Sequence, residues 1–197
     1  MSTPAPTLPD DDLAAIADAA WARLARGAAD RRTAFHQMQL ATLTPQGWPD
    51  LRSVILRAAD AAERRIGFHT DQRSAKAADI LADGRVALHL WDARAELQLR
   101  LWGQAALETE GAAVEAAWAR LVPHQRRVYF RAHAPGTALR DPAEADPADT
   151  PPPEGRGAFA LVSVTVARFE WLHLRATGHR RARFDWQKGW TGRWLAP

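Results

Sequence analysis

From Phe35 to the C-terminus the apolar residues recur at every second position, in short runs punctuated by Gly, Pro and Asp. Such alternation buries one face of a strand, and many such runs in series hide their edges best by closing on themselves. The runs are Phe35 to Leu43, Leu51 to Ala58, Arg65 to Thr70, Val86 to Trp91, Glu96 to Leu107, Ala158 to Arg168, Glu170 to Leu174, Arg180 to Trp186 and Trp190 to Leu195. They predict about eight strands in a mainly β fold, an antiparallel barrel with peripheral helices.

Helical spacing is confined to a few places. Leu13, Ile16, Ala20 and Leu24 follow an acidic cap at Asp10 to Asp12, and Gly27 is expected to end that helix. Ser74 to Leu81 reads as a short helix capped by Ser74, with Gly84 just beyond it. Gly111 to Val122 is helical in composition, and a second short helix is expected after Pro123. The Pro-rich acidic stretch within residues 141–157 cannot support a core element and is expected to be a flexible loop. The chain divides into an N-terminal arm and helix over residues 1–30 and a barrel domain over 31–197.

Composition narrows the chemistry. With no cysteine among 197 residues, disulfides, thiolate zinc sites and a cysteine nucleophile are excluded. The seven histidines form no metal-binding spacing. No apolar run is long enough to span a bilayer, and the start MSTPAPTLPDDD lacks the features of a secretory signal, so the cytoplasm is the expected location. The net charge of +3 rests almost wholly on arginine, for Lys76 and Lys188 are the only lysines. A compact ammonium retained in such a chain hints at a specific task.

Lys76 lies in FHTDQRSAK, Phe68 to Lys76, which packs a strand end, a turn and a helix start into one segment. Hydroxyls at Thr70 and Ser74, cations at Arg73 and Lys76, and a helix N-terminus are the ingredients of a phosphate site. The alternative is a plainly capped helix whose cations face solvent. RSVILR, Arg52 to Arg57, carries two arginines of opposite parity, which reach one ligand only through a strand end, a bulge or a second subunit. In ELQLRLWG, Leu97, Leu99 and Leu101 share one face and Gln98 the other; the glutamine either meets a flat heterocycle or faces water. Trp186, Trp190 and Trp194 serve either packing or a wall around a ring.

The ordered succession RSVILR, FHTDQRSAK, ELQLRLWG, FEWLHL, HRRARF and WTGRWLAP resembles the pyridoxamine 5'-phosphate oxidase family of FMN-binding split barrels, from about Phe35 to Pro197. The likeness leaves out the N-terminal helix and is poor across the Pro-rich loop. It implies an antiparallel split barrel that holds FMN. The contacts it implies are Arg52 on the phosphate, with Ser53, Val54, Ile55 and Arg57 on the same strand, then His69, Thr70, Ser74 and Lys76. Ala75 stands where the oxidases carry arginine, so Arg73 is the expected substitute. Gln98 matches a glutamine facing the flavin. Trp171 and Arg183 match residues that approach it from a partner subunit, which implies a homodimer. On the substrate side Tyr129, Arg131, Thr137 and Arg180, with Arg57, are the counterparts, while the family's histidine has none.

The resemblance implies a flavin-dependent oxidoreductase acting on a small substrate. The alternative is a binding protein for FMN, a deazaflavin or haem without turnover. A third class, nucleic-acid binding through HRRARFDWQKGW, has arginines and tryptophans in its favour but no recognised motif.

Overall fold

A computed structural model describes residues 8–147 and 153–197. Helix α1 spans Leu13–Ala29 and is capped by Asp12, whose carboxylate accepts from the N–H groups of Ala14 and Ala15. Its buried stripe, Ile16, Ala17, Ala20, Trp21 and Leu24, joins the same hydrophobic core as the barrel. Burial of Ile16, Trp21 and Leu24 contributes roughly 1.5–3 kcal/mol each. Gly27 does not end the helix. It lies inside it because a Cβ there would stand 2.6 Å from the Phe35 carbonyl oxygen, where the chain returns against α1.

The strands are β1 Gln37–Leu43, β2 Pro49–Ile55, β3 Ala58–Asp60, β4 Arg65–Asp71, β5 Arg85–Asp92, β6 Leu97–Glu108, β7 Phe159–His173, β8 Arg180–Trp186 and β9 Trp190–Leu195. All pairings are antiparallel, in the order β2-β1-β5-β6-β7-β4-β3, with β8 and β9 added beside β7. β2 and β3 stand at opposite ends of that order, yet only Leu56 and Arg57 separate them, so the sheet closes through the chain itself. The expected strand Leu51 to Ala58 is therefore two strands with a bend.

The two expected runs Ala158 to Arg168 and Glu170 to Leu174 form one long strand, β7. Its first half pairs with β4 and its second half with β8, on one edge, while β6 runs along the other. The register shifts between Trp102 and Gly103, where a side chain in place of Gly103 would run into the Thr165 carbonyl. This division of one strand between two partners is the split of the barrel.

Helix α2, Ala75–Ala82, crosses β1 and β6. Helices α3, Ala112–Arg120, and α4, Pro123–Arg126, lead into a 3₁₀ turn at Arg127–Tyr129. Val114, Leu121, Tyr129, Ala158 and Phe159 form a second, smaller core there. Of the expected loop at 141–157, residues 148–152 lie outside the described part. The flanks form 3₁₀ turns, Pro142–Ala145 and Pro153–Ala158. Among the described residues no helix is long and apolar enough to cross a membrane.

Candidate functional site

The phosphate-type residues of β2, β4 and α2 meet at the barrel end beneath α2. In β4 the apolar alternation of Ile66 and Phe68 carries Thr70 to the same inner side, where it is buried. Lys76 Nζ donates to Thr70 Oγ1 at 3.3 Å, and the Thr70 and Ser74 hydroxyls are 3.2 Å apart. Ser74 occupies the N-cap of α2 but its side chain makes no capping bond, so the expected cap is one of position only. Its hydroxyl joins the cluster instead.

Arg52 completes the group. Its register partner is Leu40, which places it on the inner side of β2. Its guanidinium donates to Thr42 Oγ1 at 2.6 Å and forms ion pairs with Asp50 and Asp79. Asp79 is buried, and Thr42 also donates to it at 2.7 Å. Lys76 is half-buried, and burial followed by the nearby Arg52 charge lowers its pKa. Two crowded cations, two hydroxyls and the outward N–H groups of a helix start form a donor set suited to a phosphate monoester. That chemistry fits the phosphate of FMN.

Arg73 is placed differently. Its guanidinium grips Asp71 in a two-point ion pair and donates to the Arg131 carbonyl at 3.1 Å. It braces the turn to the helical segment.

A second group lies on the other side of β4. His69 packs edge-on against Phe159 with ring centres 4.9 Å apart, and Tyr129 meets the same ring at 5.2 Å. Burial, then the neighbouring Arg57 charge, lowers the His69 pKa to about 4, so its imidazole is neutral near pH 7. Burial raises Tyr129 to about 12, with Arg57 acting in the opposite direction. Arg57, His69 and Tyr129 are thus electrostatic neighbours, the bend after β2 having carried Arg57 away from Arg52. Arg131 and Thr137 lie exposed in the segment that follows.

The outer face of the sheet holds the third group. Leu97, Leu99 and Leu101 are buried, so Gln98 points out of the barrel. Its Oε1 lies 3.2 Å from His89 Nε2, a partner the sequence did not single out. An amide oxygen only accepts, so this pairing has the imidazole donating and leaves the amide NH₂ outward. Register neighbours of Gln98 are Leu172 and, beyond it, Arg181.

Two of the expected contact residues turn their side chains to the core. Trp171 points inward with Leu99 and Ala182 and is fully buried, so Leu172 holds the outward position next to Gln98. Val54 is likewise a core residue, opposite Met38, while Ser53 and Ile55 face outward.

The arginines of HRRARF are all in ion pairs. Arg180 meets Asp11 at 2.9 Å, Arg181 meets Glu170 at 2.8 Å, and Arg183 meets Asp185 at 3.1 Å. Trp190 packs among Trp21, Phe169 and Trp186, whereas Trp194 is exposed. Among the described residues no three metal-ligating side chains cluster.

A closed antiparallel barrel with one strand shared between two partners defines the split-barrel class. The family model described as pyridoxamine 5'-phosphate oxidase matches residues 27–170, and the chain belongs to that family. It is 34% identical to a pyridoxine/pyridoxamine 5'-phosphate oxidase of Anaeromyxobacter dehalogenans, over 73% of this chain and 68% of that protein. Against three other such oxidases the match covers only 45%, 33% and 30% of their length. Among solved structures, a pyridoxamine 5'-phosphate oxidase-related, FMN-binding protein from Nostoc punctiforme superposes with TM-score 0.74 at 22% identity, covering 91% of this chain and 96% of that one. PhzG from Burkholderia lata, solved with tetrahydrophenazine-1-carboxylic acid, gives 0.72 at 21% identity, covering 91% of each. These superpositions establish the shared fold.

Proposed function

We propose that this protein binds FMN between two copies of the chain and oxidises a small substrate. The observation that carries the reading is the convergence of Arg52, Thr70, Ser74 and Lys76 at the start of α2. Arg52 and Lys76 neutralise the cofactor phosphate, and the two hydroxyls and the helix N–H groups fix its orientation. Bound FMN supplies a hydride acceptor at its N5 atom. Gln98, oriented by His89, offers its amide NH₂ to an acceptor on the flavin ring. Its strand parity is opposite to that of Arg52, which supports a site assembled from both subunits.

Arg57, with the Tyr129 hydroxyl, forms the anion-binding end for substrate, and neutral His69 beside them hydrogen-bonds without adding charge. Arg180 serves that site and Arg183 the flavin of the partner subunit, each after exchange of its present carboxylate partner.

FMN titration tests the reading by quenching of flavin fluorescence. One FMN per chain, held by a species with the mass of two chains, is the expected result; no saturable binding contradicts it. Anaerobic addition of pyridoxamine 5'-phosphate then tests the substrate. Bleaching assigns the oxidase reaction, whereas retained colour assigns a different substrate to the same flavin site.

A further inference from the structure

A second site lies away from the α2 cluster. A cleft of about 730 Å³ separates α1 from the β5–β6 turn and is walled by Phe35 and Trp91 among several small apolar residues. Four arginines line it, Arg23, Arg26, Arg32 and Arg94, against one acidic residue, Asp92. Two of the four are committed: Arg23 pairs with Asp92 at 3.1 Å, and Arg32 with Asp30 at 3.1 Å. Among the described residues Arg26 and Arg94 make no ion pair.

The cleft is preformed. Asp92 clasps it from both sides, for its Oδ1 accepts from the N–H groups of Arg94 and Ala95 while its Oδ2 holds Arg23 across the gap. The turn therefore keeps its distance from α1. Trp91 is 39% exposed and lines the cleft, so part of its indole is open to a ligand. An apolar floor with a few convergent charges, at this volume, is the usual form of a small-molecule site.

We propose that this cleft binds a small aromatic anion, its ring against Trp91 and its phosphate or carboxylate between Arg26 and Arg94. Cation and ring recognition suit such a ligand together, since the guanidinium fork matches an oxyanion and the indole matches a flat apolar body. None of its residues belongs to the α2 cluster, but Trp91 is the register partner of Gln98 and shares its face, so the test is run with the flavin site filled.

The test is calorimetric titration of the full chain with 1-naphthyl phosphate in the presence of excess FMN, with neutral 1-naphthol and inorganic phosphate as controls. One equivalent of naphthyl phosphate per chain is expected, with both controls binding more weakly. The double variant Arg26→Ala/Arg94→Ala should weaken it about tenfold or more, and Trp91→Ala about severalfold. Arg26 and Arg94 are exposed, so their removal leaves the fold intact. Lys76→Gln should leave naphthyl phosphate binding unchanged. Absence of binding, insensitivity to the double variant, or equal affinity for the neutral naphthol overturns the proposal. Loss of binding when FMN is added places the probe at the flavin site and overturns it equally.

Discussion

The α2 end of the barrel and the region proposed to meet the substrate carry similar residues, yet they are built in opposite ways. Around α2, Arg52, Thr70, Ser74 and Lys76 stand on a strand, a strand end and a helix start, and buried Asp79 and Thr42 hold Arg52 in place. On the proposed substrate side only His69 and Tyr129 are fixed by packing, against Phe159, while Arg57 is exposed. Arg131 and Thr137 lie exposed, and Arg180 is held by Asp11 of the N-terminal arm. On the proposed function, the difference teaches that the anchor for the cofactor is built into the fold itself, whereas the residues assigned to substrate lie in segments that can vary without disturbing the core.

Substitution inside and outside the barrel gives the largest expected contrast. Trp171→Ala should cost about 3–5 kcal/mol of stability by opening a large core cavity. Leu172→Ala should cost far less and should shift the flavin spectrum, a pair of outcomes read by thermal melting and absorbance. An unchanged spectrum in the Leu172 variant would break the outer-face assignment.

Arg52→Ala should cost about 3 kcal/mol, because buried Asp79 loses its cation and keeps only Thr42. Thr137→Ala, by contrast, should lie within about 0.5 kcal/mol. Equal effects in chemical denaturation would erase the distinction between the two regions.

The titrations are smaller in effect but sharper. The chain has a single tyrosine, so its absorbance change reports Tyr129 alone and should centre at about pH 12 in the folded protein, against about 10 once unfolded. His69 has a folded pKa of about 4 below its ordinary 6.5. The unfolded chain therefore binds a proton that the folded one refuses between those values, so stability is full above pH 6.5 and falls as pH drops toward 4. His69→Gln should flatten that slope in a series of melts.

Much of this arrangement was legible in the alternation of apolar residues. The period-two runs placed Leu97, Leu99 and Leu101 inward and Gln98 outward, and FHTDQRSAK brought its hydroxyls and Lys76 to one helix start. Trp171 lies in the core, a position an aromatic residue satisfies as well as it satisfies a ligand contact. Only the register against Leu99 and Ala182 decides between them. Gly27 misled for a related reason, since its missing side chain makes room for Phe35, a residue brought there by tertiary structure. His89 and Asp79 were not legible at all, for their roles arise from cross-strand and helix–strand contacts that local sequence does not encode.

The central claim, that the α2 cluster grips the phosphate of a flavin, is tested most directly by one comparison. FMN affinity of the native chain is measured beside that of Lys76→Gln, with riboflavin, which lacks the phosphate, titrated into both. The account predicts about tenfold or greater loss of FMN affinity in the variant, with weak riboflavin binding that does not change. Equal loss for both ligands, or no loss for FMN, would contradict it.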